Sequence, residues 1–193
     1  MLMNVWGKIL KLFEWKVDIH LPIPDKCVIC VAPHTSNWDF LLGFAAYHAV
    51  GRKANFLMKK SWFFWPLGCL LRAVGGIPVS RGKKKKISLV DQLVADFSRR
   101  KYLNLAVTPE GTRSRQPNWH TGAVRIAYAA GVPIYLGVVD YGLKSVCISA
   151  KYIPTGDVER DMTYIKNYYS IYDDGALHPE KFDCEYKKLP DRK

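Results

Sequence analysis

Apolar residues along this chain recur at two spacings. Residues 87–98 (ISLVDQLVADFS) bring Ile87, Leu89, Val90, Leu93, Val94 and Phe97 onto one helical face, which predicts an amphipathic helix. Short continuous runs at 26–32, 55–58, 77–79, 102–107, 132–139 and 145–150 have the length and residue types of buried strands. Further helices are predicted over 37–50, closed by Gly51, over 122–130, stopped by Gly131, and over 158–169. Residues 59–74 read as helical pieces broken at Pro66 and Gly68 and ended by Gly75 and Gly76. Strands alternating with helices predict an α/β architecture: a largely parallel, mixed sheet flanked by helices.

The start of the chain also has helical spacing. Trp6, Ile9, Leu10, Phe13 and Val17 share a face, with Lys8, Lys11 and Lys16 mostly away from it. Two readings stand. The segment packs on the core, or it lies flat in a membrane interface with tryptophans at headgroup level and lysines toward anionic lipid. The expected organisation is a single domain over 1–193, with 3–17 as a candidate membrane-interface amphipathic helix.

Composition narrows the partners. The chain is 49% hydrophobic, which excludes disorder, and its formal net charge of +12 calls for an anionic partner. Lysines and aromatics do mix, but no helix-turn-helix, zinc-finger or RNA-binding signature is present, so nucleic acid is not expected. Lysines interrupt the apolar N-terminal segment, so no secretory signal is expected, and no run of 18 uncharged apolar residues predicts a transmembrane span. Of five cysteines, Cys27 and Cys30 form a C-x-x-C inside a strand, where a period of two sends them to opposite faces. Buried thiols in a reducing compartment are expected rather than a metal or redox pair.

Chemistry enters at residues 34–39 (HTSNWD), where the first long strand meets the first long helix. Ser36 and Asp39 have the spacing of a capping box. That accounts for both of them but not for His34. The carboxyl end of a strand facing a helix N-terminus is where open α/β sheets hold their sites. There a histidine beside a carboxylate can keep one tautomer and accept a proton on its free nitrogen. The two readings are compatible, since a capping carboxylate can also orient an imidazole.

A second cluster, Glu110, Gly111, Thr112, Arg113, Ser114 and Arg115, follows the strand at 102–107. It combines a tight turn, a hydroxyl and guanidinium forks, and such forks match phosphate oxygens bidentately. A third stretch, GGIPVSRGKKKK at 75–86, sets Arg81 just past a short strand; the lysine run 83–86 reads mostly as a solvated loop.

His34 to Asp39 as H-x-x-x-x-D, with Glu110 to Ser114 as E-G-T-R-S, resembles the glycerolipid acyltransferase family, which includes 1-acylglycerol-3-phosphate acyltransferases. The block at 76–81 (GIPVSR) resembles the family's arginine block, with Ser80 where Asp or Asn usually precedes the arginine, and 131–134 (GVPI) resembles its V-P-I block. The blocks stand in the family's order over residues 31–139. The resemblance implies acyl transfer from a thioester on coenzyme A or acyl carrier protein to a lipid hydroxyl, with no bound cofactor and no metal. It implies His34 as general base oriented by Asp39, and Glu110, Gly111, Thr112, Arg113 and Arg81 around the acceptor's polar head. The expected acceptor is a lysophospholipid of the 1-acylglycerol-3-phosphate type, with a lyso-aminolipid as the alternative. The expected location is peripheral, on the cytoplasmic face of an anionic membrane, with Trp62, Phe63, Phe64 and Trp65 as candidate interface aromatics or else core residues. A non-catalytic membrane-binding protein is the rival reading; it has no need of His34 beside Asp39.

Overall fold

The run KCVICV forms β2 (Lys26–Val31), the middle strand of a seven-stranded sheet. The computed structural model describes residues 4–79, 88–172 and 174–184. The other strands are β1 (Lys16–Asp18), β3 (Asn55–Lys59), β4 (Gly76–Val79), β5 (Leu103–Val107), β6 (Ile134–Asp140) and β7 (Ser145–Tyr152). Their spatial order is β1-β7-β6-β2-β5-β3-β4. Every neighbouring pair is parallel except β6 and β7, which form an antiparallel hairpin. The largely parallel, mixed sheet expected from the alternation of spacings is the one observed.

Helices cover both faces, as a parallel sheet requires. Helices α1 (Val5–Leu12) and α2 (Asn37–Ala49) lie on one side, where Leu10, Ala45 and Ala46 pack with Val139 and Val146. Helices α4 (Leu89–Arg99), α5 (Gly122–Ala130) and α6 (Val158–Tyr169) contribute to the larger core on the other side, around Leu93, Val124, Ile165 and the strand residues Val28, Leu105 and Leu136. Helix α3 (Leu67–Ala73) packs beside β4. Residue alternation along β2 sends Cys27 into one core and Cys30 into the other. Both thiols are free, and burial pushes each up to about 12, which leaves them unreactive. Tyr169 is fully buried, and its hydroxyl donates to the Cys30 carbonyl at 2.7 Å and the Gly137 carbonyl at 3.2 Å. It thereby fixes α6 against β2 and β6, just before the chain leaves the sheet toward His34.

Two expectations need correction. The first helix ends at Leu12, and Val17 lies on a short strand that pairs with β7, so it shares no helical face with Trp6. Glu14, at φ 62, turns the chain between the two. Gly68 does not break a helix; it is buried inside α3, where a Cβ would meet the Phe63 main chain at 2.7 Å. Its lack of a side chain serves close packing. Of the aromatics at 62–65, for which both interface and core stood open, Trp62, Phe64 and Trp65 are exposed, Trp65 at 84%, and Phe63 is half-buried. Among the described residues no helix is long and apolar enough to cross a membrane. Arg81, Ser80 and the lysine run 83–86 lie outside the described residues.

Candidate active site

Strand β2 pairs in parallel with β5 on one side and β6 on the other, so the loops leaving all three emerge at the same end of the sheet. The pairing of Cys30 with Val107 sets residues 33–39 beside residues 108–113 although the two segments are more than seventy positions apart. The convergence is direct. The main-chain N–H of His34 donates to Oε1 of Glu110 at 2.7 Å, and the guanidinium of Arg113 donates to the side-chain oxygen of Asn37.

Helix α2 begins with a full capping box. Ser36 accepts the Trp38 N–H at 3.2 Å, and the Asp39 carboxylate accepts the Ser36 N–H at 2.8 Å. The same Oδ2 of Asp39 accepts the Thr35 N–H at 2.7 Å and faces Nδ1 of His34 at 3.3 Å. Its Oδ1 accepts the hydroxyl of Tyr141, just beyond β6, at 2.7 Å. Asp39 is thus both cap and partner of the imidazole. Burial raises its proton affinity, but hydrogen bonds from His34, Tyr141 and the Ser36 and Thr35 N–H groups outweigh it and hold the carboxyl below its ordinary range. Asp39 is ionised at neutral pH. An ionised Oδ2 opposite Nδ1 keeps the proton on Nδ1 and leaves Nε2 of His34 as an acceptor.

Glu110 is a different kind of carboxyl. It is 2% exposed, and burial pushes it up to about 8, against the His34 N–H bond that lowers it; the charge of Asp39 raises it further. It is engaged beneath the His34 loop, and it does not line the cavity above. In this arrangement the Glu110 carboxyl supports the main chain of His34. Thr112 does not line the cavity either; its hydroxyl accepts the Ser114 N–H at 3.2 Å. Gly111 and Arg113 do line it. Gly111 has φ +67, and a Cβ there would meet the His120 ring at 2.3 Å, so the turn needs glycine for conformation and for space. Beyond it, Arg115 pairs with Asp183 at 2.9 Å, anchoring the loop.

His34, Asn37 and Asp39 open onto a cavity of about 1230 Å³. Its walls include Phe40, Phe44, Phe56, Leu57 and Met58, which is an apolar surface suited to a hydrocarbon chain. Arg113 and Arg125 bring positive charge to the same cavity. An imidazole with a free acceptor nitrogen, beside an apolar cavity that a guanidinium also lines, can deprotonate a hydroxyl on a molecule with an anionic head and a fatty chain. Two contributors had no counterpart in the sequence reading. Asn37 sits inside the HTSNWD motif, so its position was marked there, but not its bond to Arg113. Tyr141 had no signal; it reaches Asp39 from 102 positions away.

Comparison with known proteins agrees with the motif pattern. A family model described as Acyltransferase matches residues 16–137. The chain is 30% identical over 139 residues to 1-acyl-sn-glycerol-3-phosphate acyltransferase of Escherichia coli, covering 68% of this chain and 55% of that one. It is 29% identical over 138 residues to the protein of the same name from Salmonella typhimurium, with the same coverage. The chain thus spans about half the length of the curated relatives it matches.

Proposed function

This chain belongs to the Acyltransferase family, and from that premise we propose that it moves a fatty acyl group from a thioester to the hydroxyl of a lysophospholipid of the 1-acylglycerol-3-phosphate type. The donor is an acyl group on coenzyme A or on acyl carrier protein. The acceptor hydroxyl attacks the thioester carbonyl while Nε2 of His34 takes its proton. The tetrahedral intermediate collapses, the C–S bond breaks, and the departing thiolate takes the proton back from the imidazolium. An ester and a free thiol result. Asp39 holds His34 in the required tautomer and stabilises the imidazolium, and Arg113, braced by Asn37, engages the acceptor's phosphate.

The observation that carries this reading is the meeting of His34–Asp39 with Arg113 at an apolar cavity of about 1230 Å³. A purely lipid-binding protein has no use for a buried carboxylate tied to an imidazole. The names of the relatives support the choice of acceptor. The enzyme acts from the cytoplasmic face of an anionic bilayer, held by exposed apolar groups and by lysines such as Lys8, Lys11, Lys59 and Lys60.

The decisive experiment offers the purified protein a panel of lyso-lipid acceptors with labelled acyl thioesters, with and without His34→Ala. The variant should fold and lose about 10² to 10⁴ in turnover, the usual worth of general-base assistance. Near-normal turnover would remove His34 from the mechanism, and lipid binding without thioester consumption would favour a non-catalytic protein.

A further inference from the structure

We propose that Tyr141 is a positioning residue for the His34–Asp39 pair, setting through its hydrogen bond to Oδ1 of Asp39 how strongly Oδ2 holds the imidazole. This rests on the reading of His34 as the base, but the contact it concerns stands independently of it.

The carboxylate of Asp39 has two sides. Oδ2 is shared among the Thr35 N–H, the Ser36 N–H and Nδ1 of His34, whereas for Oδ1 the donor found is the Tyr141 hydroxyl at 2.7 Å. The first three come from one short stretch of chain and would form with Asp39 wherever that loop went. The fourth comes from the far end of β6 and is fixed by the sheet. A hydrogen bond donated to one carboxylate oxygen draws charge away from the other, so Tyr141 tunes the basicity that His34 meets at Oδ2.

Tyr141 is itself held on three sides. Its N–H donates to the Gly175 carbonyl at 2.8 Å, its carbonyl accepts the Lys144 N–H at 3.4 Å, and its ring meets Trp15 edge-on with centroids 5.2 Å apart. Trp15 in turn is tied back to α1 through its N–H to the Leu10 carbonyl at 2.8 Å. Burial, with the bond to Asp39 and its charge, holds the Tyr141 phenol well above its ordinary range, so it remains a donor throughout the working range of pH. Among the described residues, the titratable groups near the pair include Glu110 after β5 and Tyr141 after β6, His120, which lines the same cavity, and His178, whose N–H donates to the Thr35 hydroxyl, with Arg113 tied to Asn37. On the turn beyond Tyr141, Lys144 pairs with Glu14 at 2.8 Å, and Asp140 accepts the Leu143 N–H at 2.9 Å. A shift in His34 on changing Tyr141 therefore reads the Oδ1 bond.

The test titrates the His34 imidazole by NMR in the isotope-labelled protein and measures steady-state kinetics on the same samples. In Tyr141→Phe the Asp39 carboxylate loses a donor and His34 becomes more basic; its titration should move up by a few tenths to about one pH unit. Turnover should fall roughly tenfold, short of the ~10² to 10⁴ at stake in the base itself, with KM for both substrates little changed. Placing 3-fluorotyrosine at position 141 keeps the shape and strengthens the donor, so His34 should move the opposite way; this readout remains if Tyr141→Phe does not fold. A His34 titration that stays put in the foldable variants, or that moves the same way in both, overturns the proposal, even if turnover falls. A shifted titration in a protein whose His34→Ala variant keeps full activity would instead leave Tyr141 in place and remove the general-base reading.

Discussion

Glu110 and Asp39 are carboxyls close enough for the charge of one to raise the other, yet their surroundings drive them apart. Asp39 has four donors and stays ionised. Glu110 accepts the His34 N–H from a buried position and is pushed up to about 8, so at neutral pH it is mostly protonated. The sign for stability follows. A carboxyl whose folded value lies above its unfolded value of 4.5 contributes fully below that pH, and the contribution is lost as pH rises through about 8. Asp39 does the reverse: its contribution is present above 3.8 and lost as pH falls through its lower folded value. Glu110→Gln keeps an acceptor for the His34 N–H and cannot ionise. Its stability relative to the parent chain, measured by urea unfolding at pH 5, 6.5 and 8, should improve steadily with pH. A constant difference across that range would refute the raised carboxyl. At this scale the sequence marked His34, Asp39, Glu110 and Arg113 as chemically notable. It did not tell which would face inward, because that depends on which neighbouring strand covers each loop.

Among the elements, α2 shows how one residue serves fold and site together. Its first turn has a Ser36–Asp39 capping box, legible from spacing alone, and the same carboxylate orients His34. Ser36→Ala removes the acceptor for the Trp38 N–H and should cost about 1 kcal/mol of folding stability, read from a denaturant midpoint. No change would mean the cap contributes nothing. Helices α5 and α6 match the predicted 122–130 and 158–169 in both bounds, since Gly131 in the left-handed conformation stops one and Asp157 caps the other. The three-residue strand β1 went unseen because it is held by pairing with β7, which a local pattern does not contain. Its presence shortens α1 and turns Trp15 toward Tyr141.

For the whole molecule, the distribution of apolar surface is the feature to explain. Helix α1 buries Gly7 and Leu10 but leaves Val5, Leu12 and Phe13 in solvent, while Trp38, Trp62, Phe64, Trp65 and Leu70 are also exposed. One side of the N-terminal helix packs on α2 through Trp6 and Phe44, and the other is bare. Trp62, Phe40 and Leu41 also line the active-site cavity, so the bare region continues into the proposed acyl channel. A single exposed apolar residue is ordinary, whereas a contiguous exposed apolar patch is a candidate contact surface, here for the membrane attachment proposed above. Combined replacement Trp62→Ser and Trp65→Ser should weaken binding to anionic vesicles roughly tenfold or more, leaving the fold intact. Vesicle sedimentation at low and high salt checks this, and unchanged binding would count against Trp62 and Trp65 as membrane contacts.

The sequence by itself determined the alternation of strand and helix, the cap of α2, the glycine turn at 111 and the residues able to do chemistry, because each is encoded by spacing within a few positions. Only the tertiary structure decided that His34 rests on Glu110, that Arg113 braces on Asn37 and that Tyr141 completes Asp39. Those contacts follow from the order in which β5, β2 and β6 lie side by side. Strand order is set by long-range burial on both faces of the sheet, and no local window of sequence contains it.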